Sequence, residues 1–191
     1  MEFEPYIKKM RSADVCIFWF PGTYQLVFAK QYKEFGLLDK MPLLTPTGNN
    51  TIREVVAKTH LGLAGRVFGR TSYLPDIDTP ANKRYVEAVR AKTGQDPDPL
   101  DTSAYVGMML AISAVEKTKG DTDPEKLRQA MRGATLMTPA GLVRISPEGY
   151  VYRTMYAFEY VERGGKIVMK RIGEYSEKEL QYIRLRPGIV P

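Results

Sequence analysis

The segment that most constrains the fold is a six-residue apolar run, Val15-Cys-Ile-Phe-Trp-Phe20, cut by Pro21-Gly22-Thr23 and followed at once by a helical stripe. Apolar residues at both odd and even positions predict a strand covered on both faces, as in the middle of a parallel sheet. Thr23 suits a helix N-cap. Tyr24, Val27, Phe28, Tyr32 and Phe35 then recur at helical spacing, with Gly36 as the stop. Ahead of the run, Phe3, Tyr6, Ile7 and Met10 show the same spacing. Downstream come a short strand at Pro42-Leu-Leu-Thr45, a turn at Pro46-Thr-Gly48, a helix over residues 52–60 and a strand over 65–71. This order describes βαβ units with right-handed crossovers, so the first seventy residues predict an α/β sheet.

Beyond Tyr73 the character changes. Leu74-Pro-Asp-Ile-Asp-Thr-Pro80 reads as a loop ending in a helix start, with Asp78 or Thr79 as cap and Pro80 in the first turn. Tyr85, Val86 and Val89 give that helix its apolar stripe, and Gly94 ends it. A longer helix over 102–119 carries Tyr105, Met108, Met109, Ile112 and Val115 on one face, and a third runs from Asp123-Pro124 to Gly133. Three successive helices without a strand between them need a sheet to cover. The end of the chain is β-like: a strand over 142–145, a turn at Pro147-Glu-Gly149, a strand over 152–162 and a hairpin through Arg163-Gly-Gly165 into 166–172. The expected organisation is therefore 1–72, 73–146, a returning strand segment at 147–175, and a tail at 176–191.

Composition removes several function classes. The 191 residues are 43% hydrophobic and 26% charged, as in globular chains. No apolar run approaches the roughly 18 residues that cross a bilayer. The amino terminus has neither a basic nor an apolar signal region, so no signal peptide is expected in this chain. The net charge of +6 is spread without a basic run of five, which speaks against nucleic acid as a partner. The one cysteine, Cys16, lies inside the apolar run and reads as a small buried hydrophobe.

Catalytic chemistry is thinly supplied. The one histidine, His60, ends a predicted helix, and no second histidine or cysteine exists to build a zinc site. Asp76-Ile-Asp78 lacks the glycine and closing glutamate of a calcium loop. The glycines of Gly62-Leu-Ala-Gly65-Arg-Val-Phe-Gly69 precede a strand at the wrong spacing for a dinucleotide fingerprint. Asn49-Asn-Thr51 matches a glycosylation triplet that arises often by chance. The expectation is a binding protein, not an enzyme, with no cofactor and no metal. In open α/β sheets ligands sit beyond the carboxyl ends of strands, where helix N-termini offer free N–H groups. Two turns hold that position, Phe20-Pro21-Gly22-Thr23 and Pro46-Thr47-Gly48.

The ordered series resembles the type I periplasmic solute-binding proteins of ABC importers, in the branched-chain amino acid or amide receptor group. It runs from Ala13-Asp14 and its strand through Tyr32-Lys-Glu-Phe-Gly36-Leu and Asp78-Thr-Pro-Ala-Asn-Lys-Arg-Tyr-Val86. It continues with Asp96-Pro97, Ala104-Tyr105, Asp123-Pro-Glu-Lys-Leu127 and Gly141-Leu-Val-Arg-Ile-Ser-Pro-Glu-Gly149. The resemblance implies flavodoxin-like three-layer α/β/α lobes, with this chain matching the carboxy-terminal half only and ending in a β-hairpin. The residues up to 72 would belong to the second lobe and those after it to the first, whose strands would lie in an amino-terminal portion.

The resemblance implies a small-molecule ligand held in an interlobe cleft, with Phe20, Pro21, Gly22, Thr23, Pro46, Thr47, Gly48 and Tyr73 as the contacts. It also implies an ABC membrane permease as partner and a periplasmic or extracellular location. Where amino-acid receptors place an acidic residue for the ligand's ammonium, this chain has Thr47. A neutral hydroxyl cannot form that charge-assisted bond. The expected ligand is a small organic solute such as an amino acid, an amide or an aromatic or apolar carboxylic acid, with Thr47 speaking against a plain α-amino acid. The alternative is a ligand-sensing regulatory domain of the same fold without a transport role. Uncovered helix faces predict a homodimer or larger association.

Overall fold

The computed structural model describes residues 2–20, 24–45 and 63–176. In chain order the elements are α1 (Glu4–Ile7), β1 (Cys16–Ile17), α2 (Tyr24–Glu34), β2 (Leu43–Thr45), β3 (Val67–Thr71), α3 (Pro80–Thr93), α4 (Pro99–Lys117) and α5 (Pro124–Met131). There follow β4 (Thr135–Thr138), β5 (Gly141–Ile145), β6 (Val151–Tyr152), β7 (Met155–Arg163) and β8 (Lys166–Tyr175). They form two compact units, residues 1–71 with 156–173, and 72–155 with 174 onward.

In the first unit β1 pairs parallel with β2, Cys16 opposite Leu43, and β2 pairs parallel with β3, Leu43 opposite Val67. The β1–α2–β2 segment is thus the expected βαβ unit. Phe28 and Tyr32 bury the middle of the α2 stripe, while Tyr24 and Phe35 at its ends are exposed. Gly36 takes the left-handed conformation (φ 68°) that ends the helix cheaply only without a Cβ. The predicted helix over 52–60, with His60 and the Asn49 triplet, lies outside the described residues.

The run at 15–20 departs from expectation. β1 is two residues long and sits at the edge of the described sheet, whose order is β1-β2-β3-β7-β8. Side chains alternate across a strand. Phe18 therefore packs into the core with Phe3 and Phe28, while Ile17 and Trp19 on the other face are 68% and 61% exposed. Among the described residues no layer covers that second face. Hydrophobicity recorded the capacity for two-sided burial, and burial itself depends on what lies opposite.

β7 completes the unit from far along the chain. It pairs antiparallel with β3 in a register that sets Phe158 against Gly69. A Cβ on Gly69 would stand 2.7 Å from Thr45 Cγ2 and 2.8 Å from Phe158 Cζ, so the aromatic ring occupies the space the glycine leaves. The turn into β8 uses Gly164 (φ 57°) and Gly165 (φ 72°), two successive left-handed residues as a tight hairpin requires.

In the second unit the helix signals read from sequence are realised. Thr79 caps α3 by accepting from the Asn82 N–H, and Gly94 closes it. Asp123 caps α5 by accepting from the Lys126 N–H. α4 starts earlier than the predicted 102, at Pro99, because Asp98 and Asp101 form a reciprocal capping box around that proline. β4 has no counterpart in the sequence reading; it pairs antiparallel with β5, Thr135 opposite Arg144. The strand expected over 152–162 is two strands. β6 pairs with β5 inside this unit, and β7 leaves for the first. Residues 147–155, expected to return to the first unit, therefore remain with the second.

Candidate functional site

α2 runs back antiparallel to β1, so its first turn stands at the carboxyl end of the parallel strands. That end carries an aromatic cluster. The Phe28 ring lies 5.3 Å from Phe18 and 5.2 Å from Phe20, and Phe20 lies 4.8 Å from Phe3, measured between centroids. Phe20, predicted to contact ligand, is half-buried against this cluster. Trp19, one residue earlier, points away from it and is exposed.

The Tyr32 hydroxyl donates to the Met41 carbonyl at 2.9 Å within the core. Burial pushes the Tyr32 phenol up to about 12, helped by the neighbouring Cys16. Burial raises the Cys16 thiol as well, partly offset by its hydrogen bond with Tyr32. A raised thiol pKa suits the packing role assigned to Cys16 and opposes nucleophilic use. At the strand ends, Thr45 closes β2 and is fully buried. Gln25, the second residue of α2, is 3% exposed, and its Oε1 has no hydrogen-bond partner among the described residues. Sequence reasoning passed over Gln25; the available signal was a polar residue three positions before Phe28, on the buried face of the stripe.

Of the predicted contacts, Pro21, Gly22, Thr23, Pro46, Thr47 and Gly48 lie outside the described residues. They directly follow, in chain order, the segments that leave β1 and β2. Tyr73 belongs to the second unit, is fully buried, and donates its hydroxyl to Asn82 Oδ1. It serves there to pin the loop ahead of α3. Asp78 pairs with Lys83 at 2.7 Å in that loop, and among the described residues no cluster of three metal-ligating side chains occurs.

The second unit has an open groove of about 540 Å³ between α3 and α4, lined by Tyr85, Val89, Tyr105, Met109 and Met137. The outer face of α4 continues it with Met108 and Ile112, 62% and 52% exposed. Among the described residues no helix is long and apolar enough to cross a membrane.

A family model for periplasmic binding proteins matches residues 1–166. The chain is 27% identical over 187 residues to Leu/Ile/Val-binding protein homolog 6 of Brucella melitensis, covering 94% of this chain and 46% of that protein. It therefore spans about half the length of the curated relatives it matches. Among solved structures, a solute-binding protein of an ABC transporter from Rhodopseudomonas palustris, in complex with p-hydroxybenzoic acid, has TM-score 0.75 at 25% identity, covering 92% of this chain and 49% of that one. Another from R. palustris, in complex with 4-hydroxybenzoate, shares the fold with TM-score 0.79 at 23% identity, over 96% of this chain and 51% of that one.

Proposed function

The chain belongs to the periplasmic binding protein family, and on that premise we propose that it is part of the substrate-binding component of an ABC importer, taking an aromatic carboxylic acid beyond the carboxyl ends of β1 and β2. The observation that carries this reading is the parallel pairing of β1 with β2, which brings two strand ends side by side. Each is followed by a glycine-containing turn sequence, at 20–23 and 46–48. Parallel α/β sheets bind ligands at that end.

The ligand class follows from chemistry at the same end. Phe20 supplies a half-buried ring, backed by the buried rings of Phe3, Phe18 and Phe28. Thr47 supplies no negative charge for an ammonium group. The R. palustris relative in complex with p-hydroxybenzoic acid supports an aromatic acid. In this reading Pro21, Gly22, Thr23, Pro46, Thr47 and Gly48 contact the ligand with Phe20. The partner is a membrane permease, the compartment is the periplasm, and no catalytic step is involved.

A second reading, an aliphatic amino acid, is favoured by the likeness to the Leu/Ile/Val-binding homolog. Calorimetric titration of this chain, and of the reading frame extended to the length of its relatives, with 4-hydroxybenzoate, benzoate and leucine separates the two. The expected result is binding of the benzoates and none of leucine. Leucine binding without benzoate binding would replace the first reading by the second.

A further inference from the structure

The groove between α3 and α4 is a cavity that the proposed function leaves unused. It lies wholly within the second unit and holds about 540 Å³. That volume falls in the range of small-molecule sites.

Its lining is apolar and accessible. The Tyr85 and Tyr105 rings meet there at 4.7 Å between centroids. Tyr105 and Met137 are 48% and 53% exposed, and Val89 and Met109 are half-buried. An occupant therefore reaches ring, thioether and aliphatic carbon. Thioether side chains adapt to a flexible partner.

The charge along the groove has one sign. Arg84 and Lys92 are the charged lining residues, both are cations, and neither has an ion-pair partner among the described residues. The other two cations of α3 behave differently. Lys83 pairs with Asp78 and Arg90 with Asp96, and neither of them lines the groove. Asp98 and Asp101 are tied into the α4 capping box and do not line it either. Arg84 and Lys92 are eight residues apart, which sets their backbones about 12 Å apart along the helix axis. The result is an elongated apolar trough with a cationic rim.

A neutral apolar molecule gains nothing from that rim, and an organic cation is repelled by it. An anionic head on an apolar chain uses both features. We propose that the groove binds a single-chain aliphatic carboxylate, with its chain against Tyr85, Tyr105 and Met109 and its head at the rim formed by Arg84 and Lys92. The planar fork of Arg84 suits both carboxylate oxygens at once.

The test is a titration of the chain, labelled with carbon-13 at its methionine methyl groups, with decanoate, decan-1-ol and decylamine below their aggregation concentrations. The Met109 and Met137 signals, identified through Met109→Leu and Met137→Leu, report on the groove itself. Decanoate is expected to shift both saturably and to bind about fivefold more tightly than the alcohol, with the amine weakest. The double variant Arg84→Gln, Lys92→Gln should bring decanoate down to the level of the alcohol and leave the alcohol unchanged. Equal binding of the three head groups would overturn the proposal, as would a preference that survives the double variant. Decanoate binding that leaves the Met109 and Met137 signals unmoved would also overturn it, and so would the absence of any saturable shift. Glutamine is close to arginine and lysine in helix propensity, and both positions are exposed, so the variant should fold. If it does not, the comparison of head groups on the native chain decides alone.

Discussion

Tyr73 donates its phenolic hydrogen to Asn82 Oδ1 at 2.9 Å, and Asn82 Nδ2 donates in turn to the carbonyls of Pro75 and Ile77 at 3.0 and 2.9 Å. One amide thus holds three groups of the loop that leads into α3, and both side chains are buried. Asn82→Ala would strand all three. The expected loss is at least about 2 kcal/mol of unfolding free energy, against about 1–2 kcal/mol for Tyr73→Phe, which strands only Oδ1. Urea denaturation of both variants measures it, and an unchanged midpoint for Asn82→Ala would show the loop is held by other means.

Gly69 faces a different constraint, since the space beside it is already filled by Thr45 and the Phe158 ring. Gly69→Ala must push one of them aside, at an expected cost of about 1–3 kcal/mol. Pairing it with Phe158→Leu should recover part of that loss. A double-mutant cycle reads the coupling, and strict additivity would mean that the two sites are independent.

Alkaline pH should destabilise the first unit. Burial raises the Cys16 thiol above 9.0 and moves the Tyr32 phenol from 10.0 to about 12. Both groups are held neutral by folding. Their contribution is complete below the unfolded values and is lost as pH rises through the folded ones. Stability should therefore decline from about pH 9 toward 12. Tyr32→Phe should flatten the upper part of that decline in denaturation midpoints taken across the range. An unaltered slope would exclude Tyr32 as the titrating group.

The neutral Thr47 gives a gain-of-function test. Thr47→Glu supplies the charge that an α-ammonium group requires, and one charge-assisted bond corresponds to roughly tenfold or more in affinity. Leucine titrated into the variant should bind measurably more tightly than into the native chain, while 4-hydroxybenzoate should weaken through repulsion of its carboxylate. Loss of 4-hydroxybenzoate with no gain of leucine would place Thr47 at the ligand but remove it as the discriminator.

The α4 face predicts association. Tyr105, Met108 and Ile112 are exposed along one helix beside an apolar groove. Apolar patches of this kind are buried by self-association when nothing else covers them. Light scattering on the isolated chain should report a dimer or larger species, and Ile112→Glu should shift it toward monomer. A monodisperse native monomer would refute the expectation.

Local chemistry was the legible part of this fold. Thr79, Pro80, Gly94 and Asp123 mark helix ends because a cap needs only its own turn to be recognised. Asp98 was missed because Asp-Pro between two other loop residues looks the same whether it opens a helix or not until Asp101 closes the box. β4 was missed because Thr-Leu-Met-Thr is too short to show a period, and its partner β5 fixes it from across a hairpin. The two-sided burial expected of Ile17 and Trp19 depended on a layer that no local pattern reports. For the candidate site, Phe20 was legible as a residue following an apolar strand. Gln25 was hidden because only a coordinate shows that a polar side chain on an apolar stripe has been buried without a partner.

The antiparallel seam between β3 and β7 has a consequence for biosynthesis. The ring that fills the vacancy over Gly69 is translated only after residues 72–155 of the second unit have been synthesised. Until then the first unit exposes an unsealed strand and a cavity wall, while the second already holds all its helices. The Gly164-Gly165 hairpin is therefore a late-arriving latch. Chains cut short ahead of it should be the ones quality-control proteases find first.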